Sequence, residues 1–221
     1  MELKKFRNRY DLELIPASHE GIILGTLVWD PILGKPAFEH PGMPDHIFNA
    51  FLDAEIINTE EWQNGLKAAK NEDLKEANLA ITSVDINIDL VSSLEQPLVG
   101  ELGSAFKLKS LKKFSFADLK VRLMSPLLRV QIDDHLEKLK AGNWKYYDGK
   151  IRRVFMITEL YYGSVKIVID KNIMNDFTLA VRNSGLEINK ELELGTAIEY
   201  SFKHKDVPFA MKLEIIKGFT S

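Results

Sequence analysis

The stretch Phe106 to Leu123, FKLKSLKKFSFADLKVRL, constrains this chain more than any other. Successive side chains of an extended strand point to opposite faces. On that spacing Phe106, Leu108, Phe114 and Phe116 share one face, and Lys107, Lys109 and Lys113 share the other. The segment carries Lys107, Lys109, Lys112, Lys113, Lys120 and Arg122 against Asp118 alone, in a chain of net charge -3. A ribbon of this kind has two settings: a sheet edge in water, or a place with lipid on one face and water on the other. The apolar phase slips between Phe116 and Leu119. A one-residue slip exchanges the two faces, so a bulge or kink is expected at Ala117-Asp118.

The 221 residues are enough for a substantial core, in one large domain or two small ones. A pI near 6.0 argues against general affinity for nucleic acid, so an electrostatic partner must be met by a local patch. There is no cysteine, which excludes disulfides, thiolate metal sites and a cysteine nucleophile. The N-terminus MELKKFRNRY lacks the apolar centre of a signal peptide. No apolar run approaches the roughly 18 residues of a membrane-spanning helix. The expectation is a chain made soluble in the cytoplasm, which meets a membrane through amphipathic surfaces or a change of conformation.

Along the chain, Met1 to Tyr10 is basic (Lys4, Lys5, Arg7, Arg9), with Leu3, Phe6 and Tyr10 on one helical face. Leu12 to Pro16 and Ile22 to Trp29 read as strands, and Asp30 to Pro44 as a loop rich in Pro and Gly. Helices are expected from Pro44 through Leu52, and from Thr59 with Trp62, Leu66 and Ala69 inward. Val84 to Leu90 alternates strictly, with Val84, Ile86, Ile88 and Leu90 on one face. A connector, Val91 to Gly103, leads to the basic ribbon. Ser125-Pro126 opens a helix with Val130, Ile132, Leu136 and Leu139 as anchors and Gly142 as its stop. Strands are expected at Ile151 to Tyr162 and Val165 to Asp170 around a Tyr162-Gly163-Ser164 turn. Four more follow: Phe177 to Arg182, Leu186 to Leu194, Ala197 to Lys203 and Val207 to Ile216. The class is α+β: a twisted, mostly antiparallel sheet with surrounding helices.

Motifs for chemistry are weak. Asp85-x-Asn87-x-Asp89 opens like a calcium loop, but Leu90 and Gln96 occupy the glycine and glutamate positions. The wet face of a strand is the better reading. His40, Asp45 and His46 lack a third ligand at useful spacing, and capping suits them better. Asp133-Asp134-His135 fits a helix start. Tyr146, Tyr147, Tyr161, Tyr162 and Trp144 suit packing more than ligand stacking. No GxSxG elbow, phosphate-binding glycine loop or dinucleotide fingerprint occurs. No catalytic residue, metal site or cofactor is assigned.

Taken in order, several segments resemble the gasdermins, above all the small bacterial and fungal members. Leu3-Lys4-Lys5 followed by Tyr10 to Pro16 is similar to their basic start and first strand. Ile86 to Leu94 followed by Gly103 to Leu123 resembles their strand, short helix and returning strand. Ser125 to Leu139 resembles their central helix, Arg153 to Leu160 their apolar strand with an Ile-Thr-Glu step, and Pro208 to Ile215 their last core strand. Many bacterial gasdermins carry a lipidated cysteine near the N-terminus, and this chain has none. Most also carry a C-terminal inhibitory segment that a protease removes. Only Lys217 to Ser221 follows the last strand here, which fits an already shortened form or a tail-less member held in check by partners.

The resemblance implies a single pore-forming domain over residues 1–221 and no enzymatic activity. It implies a soluble monomer, cytoplasmic when inactive, that inserts into a cell or inner membrane and closes into a large oligomeric β-barrel in regulated cell death or antiviral defence. The implied partners are anionic lipids and other copies of the chain, or a related chain in a hetero-oligomer, together with an activating protease or inhibitory partner, and no nucleic acid. Candidate lipid-binding residues are Lys4, Lys5, Arg7, Arg9, Lys107, Lys109, Lys112 and Lys113. Candidate membrane-inserting residues are Val84, Ile86, Ile88, Leu90, Phe106, Leu108, Phe114 and Phe116. The alternative readings are a soluble α+β binding or scaffold protein, and an enzyme whose site is assembled from distant residues.

Overall fold

The computed structural model describes residues 2–15, 22–29, 45–77, 83–91, 102–103, 106–145, 153–184, 186–202 and 208–216. In chain order the elements are α1 (Glu2–Tyr10), β1 (Glu13–Leu14), β2 (Leu27–Trp29), α2 (Ile47–Asp53), α3 (Thr59–Asn71), β3 (Leu74–Glu76), β4 (Ser83–Ile86), α4 (Ile88–Val91), β5 (Lys113–Leu123), α5 (Pro126–Ala141), β6 (Val154–Asp170), α6 (Met174–Ser184), β7 (Ile188–Leu194), β8 (Ala197–Phe202) and β9 (Ala210–Ile215). Hydrogen-bonded strand order runs β1-β9-β6-β5-β3; β2 and β8 also pair with β6, β4 with β5, and β7 with β8. The β2–β6, β4–β5, β6–β8 and β7–β8 pairs are all antiparallel. The α+β class with a large antiparallel sheet is what the alternating periods imply. The chain divides into two compact units. One comprises Met1–Glu20, Glu76–Val121 and Tyr161–Ala210, and the other Gly21–Lys75, Arg122–Leu160 and Met211–Ser221.

In the first unit α1 buries Phe6, with Leu3 and Tyr10 packed at the margin, as the helical spacing requires. Val84, Ile86, Phe114, Phe116, Ile167, Ile169, Ile198, Tyr200 and Phe202 come from the strands to the same core. Phe177 on α6 closes over it, its ring 4.9 Å from Tyr200 and 5.2 Å from Phe106. In the second unit Asn58 and Glu61 form a capping box at the start of α3, which satisfies two backbone donors reciprocally. Ser125 caps α5, with Pro126 in its first turn. Phe48 and Phe51 are fully buried. Gly65 on α3 makes room for the Phe48 ring, because a Cβ there would lie 2.5 Å from Cε1.

Several strand expectations need correction. The basic ribbon is a strand only from Lys113. Phe106 to Lys112 instead contains a 3-10 turn at Leu108–Ser110, closed by Ser110 N–H to the Lys107 carbonyl at 2.8 Å. The reason lies in its partner: β4 ends at Ile86 and the chain turns into α4, so the β4 ladder stops at Ile86 opposite Phe114. Ile88 is therefore on a helix, half-buried, with Val91 buried one turn later. The Tyr162-Gly163-Ser164 turn does not exist, since β6 runs unbroken through it. Glycine serves close approach there: a Cβ on Gly163 would lie 3.0 Å from both the Ala117 carbonyl and Phe116 Cβ. Phe177 to Arg182 is helix α6, whose buried Phe177, Ala180 and Val181 follow the i, i+3, i+4 spacing. On α5 the inward residues are Leu128, Ile132, His135 and Leu139, while Val130 is exposed. Asp133 and Asp134 lie within α5 rather than at its start.

The expected irregularity at Ala117-Asp118 is present. Asp118 has φ +50, in the left-handed region that short polar side chains tolerate. Its carboxylate accepts a hydrogen bond from the Ser164 hydroxyl, which also reaches the Ala117 carbonyl at 3.2 Å.

Candidate functional site

The β4–β5 pair sorts its side chains by register. Val84 stands opposite Phe116 and Ile86 opposite Phe114, while Asp85 faces Ser115 and Ser83 faces Ala117. Directly opposite residues share a face, so one face is wholly apolar and the other small or polar. All four apolar residues are buried in one cluster. Phe114 and Phe116 meet edge to face at 5.6 Å, and Phe116 stacks on Phe209 at 4.0 Å. Burying each such side chain stabilises by roughly 1.5–3 kcal/mol. Phe106, Leu108 and Ile88 pack against the rim of the same cluster, half-buried. The structure thus gathers every described apolar candidate around one core, although Phe106, Leu108 and Ile88 do not lie on a strand. The side chain of Leu90 lies outside the described residues.

The basic candidates divide into two groups. Lys107, Lys109, Lys112 and Lys113 are exposed. Lys112 pairs with Asp170, and Lys113 reaches Asp85 at 3.0 Å. Lys4, Lys5 and Arg9 are exposed on α1, but Arg7 is half-buried and bound to Glu13. Burial raises the Glu13 pKa, and the Arg7 guanidinium opposes that rise. Of the four basic residues that the sequence leads one to expect exposed, Arg7 is instead part of the folded scaffold. The reason is position: its guanidinium reaches Glu13 on β1.

The two groups meet at β4. The Tyr10 hydroxyl accepts the Asp85 N–H at 3.0 Å and lies 3.4 Å from the Asp85 carbonyl. The Arg9 guanidinium sits over the Tyr10 ring, 5.0 Å from its centroid. Lys5, Phe6, Arg9, Tyr10, Asp85 and Ile86 line a groove of about 270 Å³. Sequence placed Tyr10 on the apolar face of the helix, and no local signal pointed to a bond with a strand so distant in sequence.

The remaining candidates have structural roles. Asp85 lies on the polar face of β4, as its alternation implies. His46 is the α2 cap: Nε2 lies 2.8 Å from the Leu24 carbonyl, and Nδ1 accepts the Phe48 N–H at 3.2 Å. That arrangement holds the ring neutral, and burial drives its pKa down to about 4, against the opposing pull of the Leu24 carbonyl and Asp45. Asp45 accepts from the Asn49 amide. Tyr161 and Tyr162 are buried, while His40, Tyr146 and Tyr147 lie outside the described residues. Among the described residues no group of three or more His, Asp or Glu is placed to hold a metal ion. Nor is any helix among them long and apolar enough to cross a membrane.

No family model and no curated protein matches the sequence. Among solved structures, the chain is similar to a bacterial gasdermin from Bradyrhizobium tropiciagri. The likeness covers 97% of this chain and 85% of that one, at 11% identity and a TM-score of 0.52. The ordered resemblance of its segments, the antiparallel sheet with its helices and this structural likeness agree: the chain has a gasdermin-like fold.

Proposed function

We propose that the chain is a single-domain pore-forming protein of the gasdermin type. In this reading a soluble, cytoplasmic monomer binds anionic membranes, inserts strand pairs and closes with other copies into a β-barrel, permeabilising the membrane in cell death or defence. No enzymatic step is part of it. The gasdermin-like fold supports the class. The observation that carries the mechanism is a mismatch between pattern and element. The apolar/polar alternation of Val84–Leu90 continues past the end of β4, and that of Phe106–Phe116, interrupted at Ser110-Leu111-Lys112, begins before β5. Unwinding α4 and the 3-10 turn at Leu108–Ser110 extends both strands along an alternation already written in the chain. A membrane-crossing strand needs roughly 9–11 residues. β5 already has 11, but β4 has only 4 and must lengthen. An open strand edge does not survive in hydrocarbon, which requires closure with further copies. Exposed lysines beside these strands and on α1 favour an anionic surface by about 1 kcal/mol each.

Dye release from vesicles tests this directly. The parent chain is expected to empty phosphatidylcholine vesicles containing phosphatidylserine or cardiolipin, and to leave pure phosphatidylcholine vesicles largely intact. Bound protein without release from any composition would favour the binding-protein reading.

A further inference from the structure

β7 and β8 are out of phase with each other. β8 turns Ile198, Tyr200 and Phe202 into the core beneath Phe177. Opposite them, Glu193 pairs with Ile198 and Glu191 with Tyr200, so β7 sets two carboxylates on the same face as these core residues, where both stay exposed. Leu192 pairs with Glu199 and Leu194 with Ala197, which sends the leucines to the outer face, 44% and 45% exposed. The cause is a register shift: Ile188 stands opposite Phe202, but Lys190 stands opposite Ser201. One extra residue there moves the rest of β7 to the other face. If the Ile188–Phe202 pairing continued without it, Leu192 would stand opposite Ile198, and Glu191 opposite Glu199.

The geometry points to this irregularity as a register switch: β7 slides by one residue against β8 when the hairpin leaves α6 for a membrane. The proposal rests on the pore-forming reading above. In the folded register neither face of the hairpin is apolar, because glutamates interrupt one and Glu199 with Lys190 the other. Neither face can therefore meet lipid, where a carboxylate near the bilayer centre is strongly disfavoured. In the shifted register Ile188 and Leu192 join Ile198, Tyr200 and Phe202, while Glu191, Glu193, Glu199 and Ser201 form a polar face. Lys190 is the exception on the apolar face, and its long stem lets the ammonium reach toward the interface. That is the separation a strand pair between lipid and water requires. In the folded protein these exposed charges serve another purpose, since they blunt β7 as a sheet edge.

The chain has no cysteine, so engineered pairs report register cleanly. Leu192→Cys/Glu199→Cys is directly opposed in the folded register, and Glu191→Cys/Glu199→Cys in the shifted one. None of the three substituted positions is itself buried. With copper-phenanthroline in solution, the 192/199 pair is expected to cross-link at least tenfold more than the 191/199 pair. On phosphatidylserine vesicles that are releasing dye, the preference should invert. Pre-oxidised 192/199 protein should lose release and regain it with dithiothreitol. Release accompanied by unchanged 192/199 preference overturns the register switch and leaves the pore reading standing. Absence of release by the parent chain overturns the pore reading, and the switch with it.

Discussion

Acidification should destabilise this protein through one buried ring. His46 uses both nitrogens while neutral: Nε2 with the Leu24 carbonyl and Nδ1 with the Phe48 N–H. Protonation puts a hydrogen on Nδ1, where it opposes that N–H, and places a charge in an apolar pocket beside Phe48. The folded pKa is about 4 against an ordinary 6.5. The unfolded chain therefore binds a proton first as pH falls. Stability due to this residue is complete above about pH 6.5 and is lost down to about pH 4. At pH 4.5 the loss comes to about 2.5 kcal/mol, from 1.36 kcal/mol per pH unit over most of the interval. With a urea slope near 2 kcal/mol/M, the midpoint should move by about 1 M. The assay is urea unfolding followed by tryptophan fluorescence at pH 7.5 and 4.5, in the parent and in His46→Asn. Asparagine caps a helix without titrating. Other groups titrate in both proteins, so the difference between them isolates His46. The reasoning fails if the folded variant keeps the parent's pH dependence within about 0.5 kcal/mol.

Gly65→Ala should lower stability by about 1–3 kcal/mol in a thermal melt, despite alanine's better helix propensity, because the new methyl meets the Phe48 ring. An unchanged or raised melting temperature would show that the ring moves freely. Reversing Lys4, Lys5 and Arg9 to Glu should leave the melting temperature nearly unchanged and weaken sedimentation with phosphatidylserine vesicles; Arg7 is spared because it holds Glu13. Equal sedimentation would remove α1 from the lipid contact. Leu108→Asp should block dye release while Lys109→Asp is tolerated, with circular dichroism confirming that each variant folds. Equal release by both would place residues 106–112 outside the membrane.

Much of the fold was legible because local chemistry agreed with tertiary need. The helix start at Thr59, Ser125 with Pro126, and the alternation over Phe114 to Phe116 each specify an element within a few residues. The slip around Asp118 was legible because face reversal leaves a mark in the pattern. Phe177 to Arg182 misled because six residues hold too few apolar positions to separate period 2 from period 3.6. Gly163 misled because glycine marks both turns and close backbone approaches, and only the neighbouring strand distinguishes them. At the candidate site, the apolar set on β4 and β5 was readable. The Arg7–Glu13 pair and the Tyr10–Asp85 bond were not, since nothing in a sequence states which hydroxyl will find which distant amide.

That last bond has a consequence for lateral growth. A strand adding to β4 would need the Asp85 N–H and carbonyl, and the Tyr10 hydroxyl already occupies both positions. The helix and an incoming neighbour therefore compete for a single seat. An intramolecular occupant would win at low chain density, because belonging to the same chain fixes its effective concentration. Crowding chains onto a surface raises the rival's concentration and leaves the helix's unchanged, so the outcome of the competition becomes a matter of mass action.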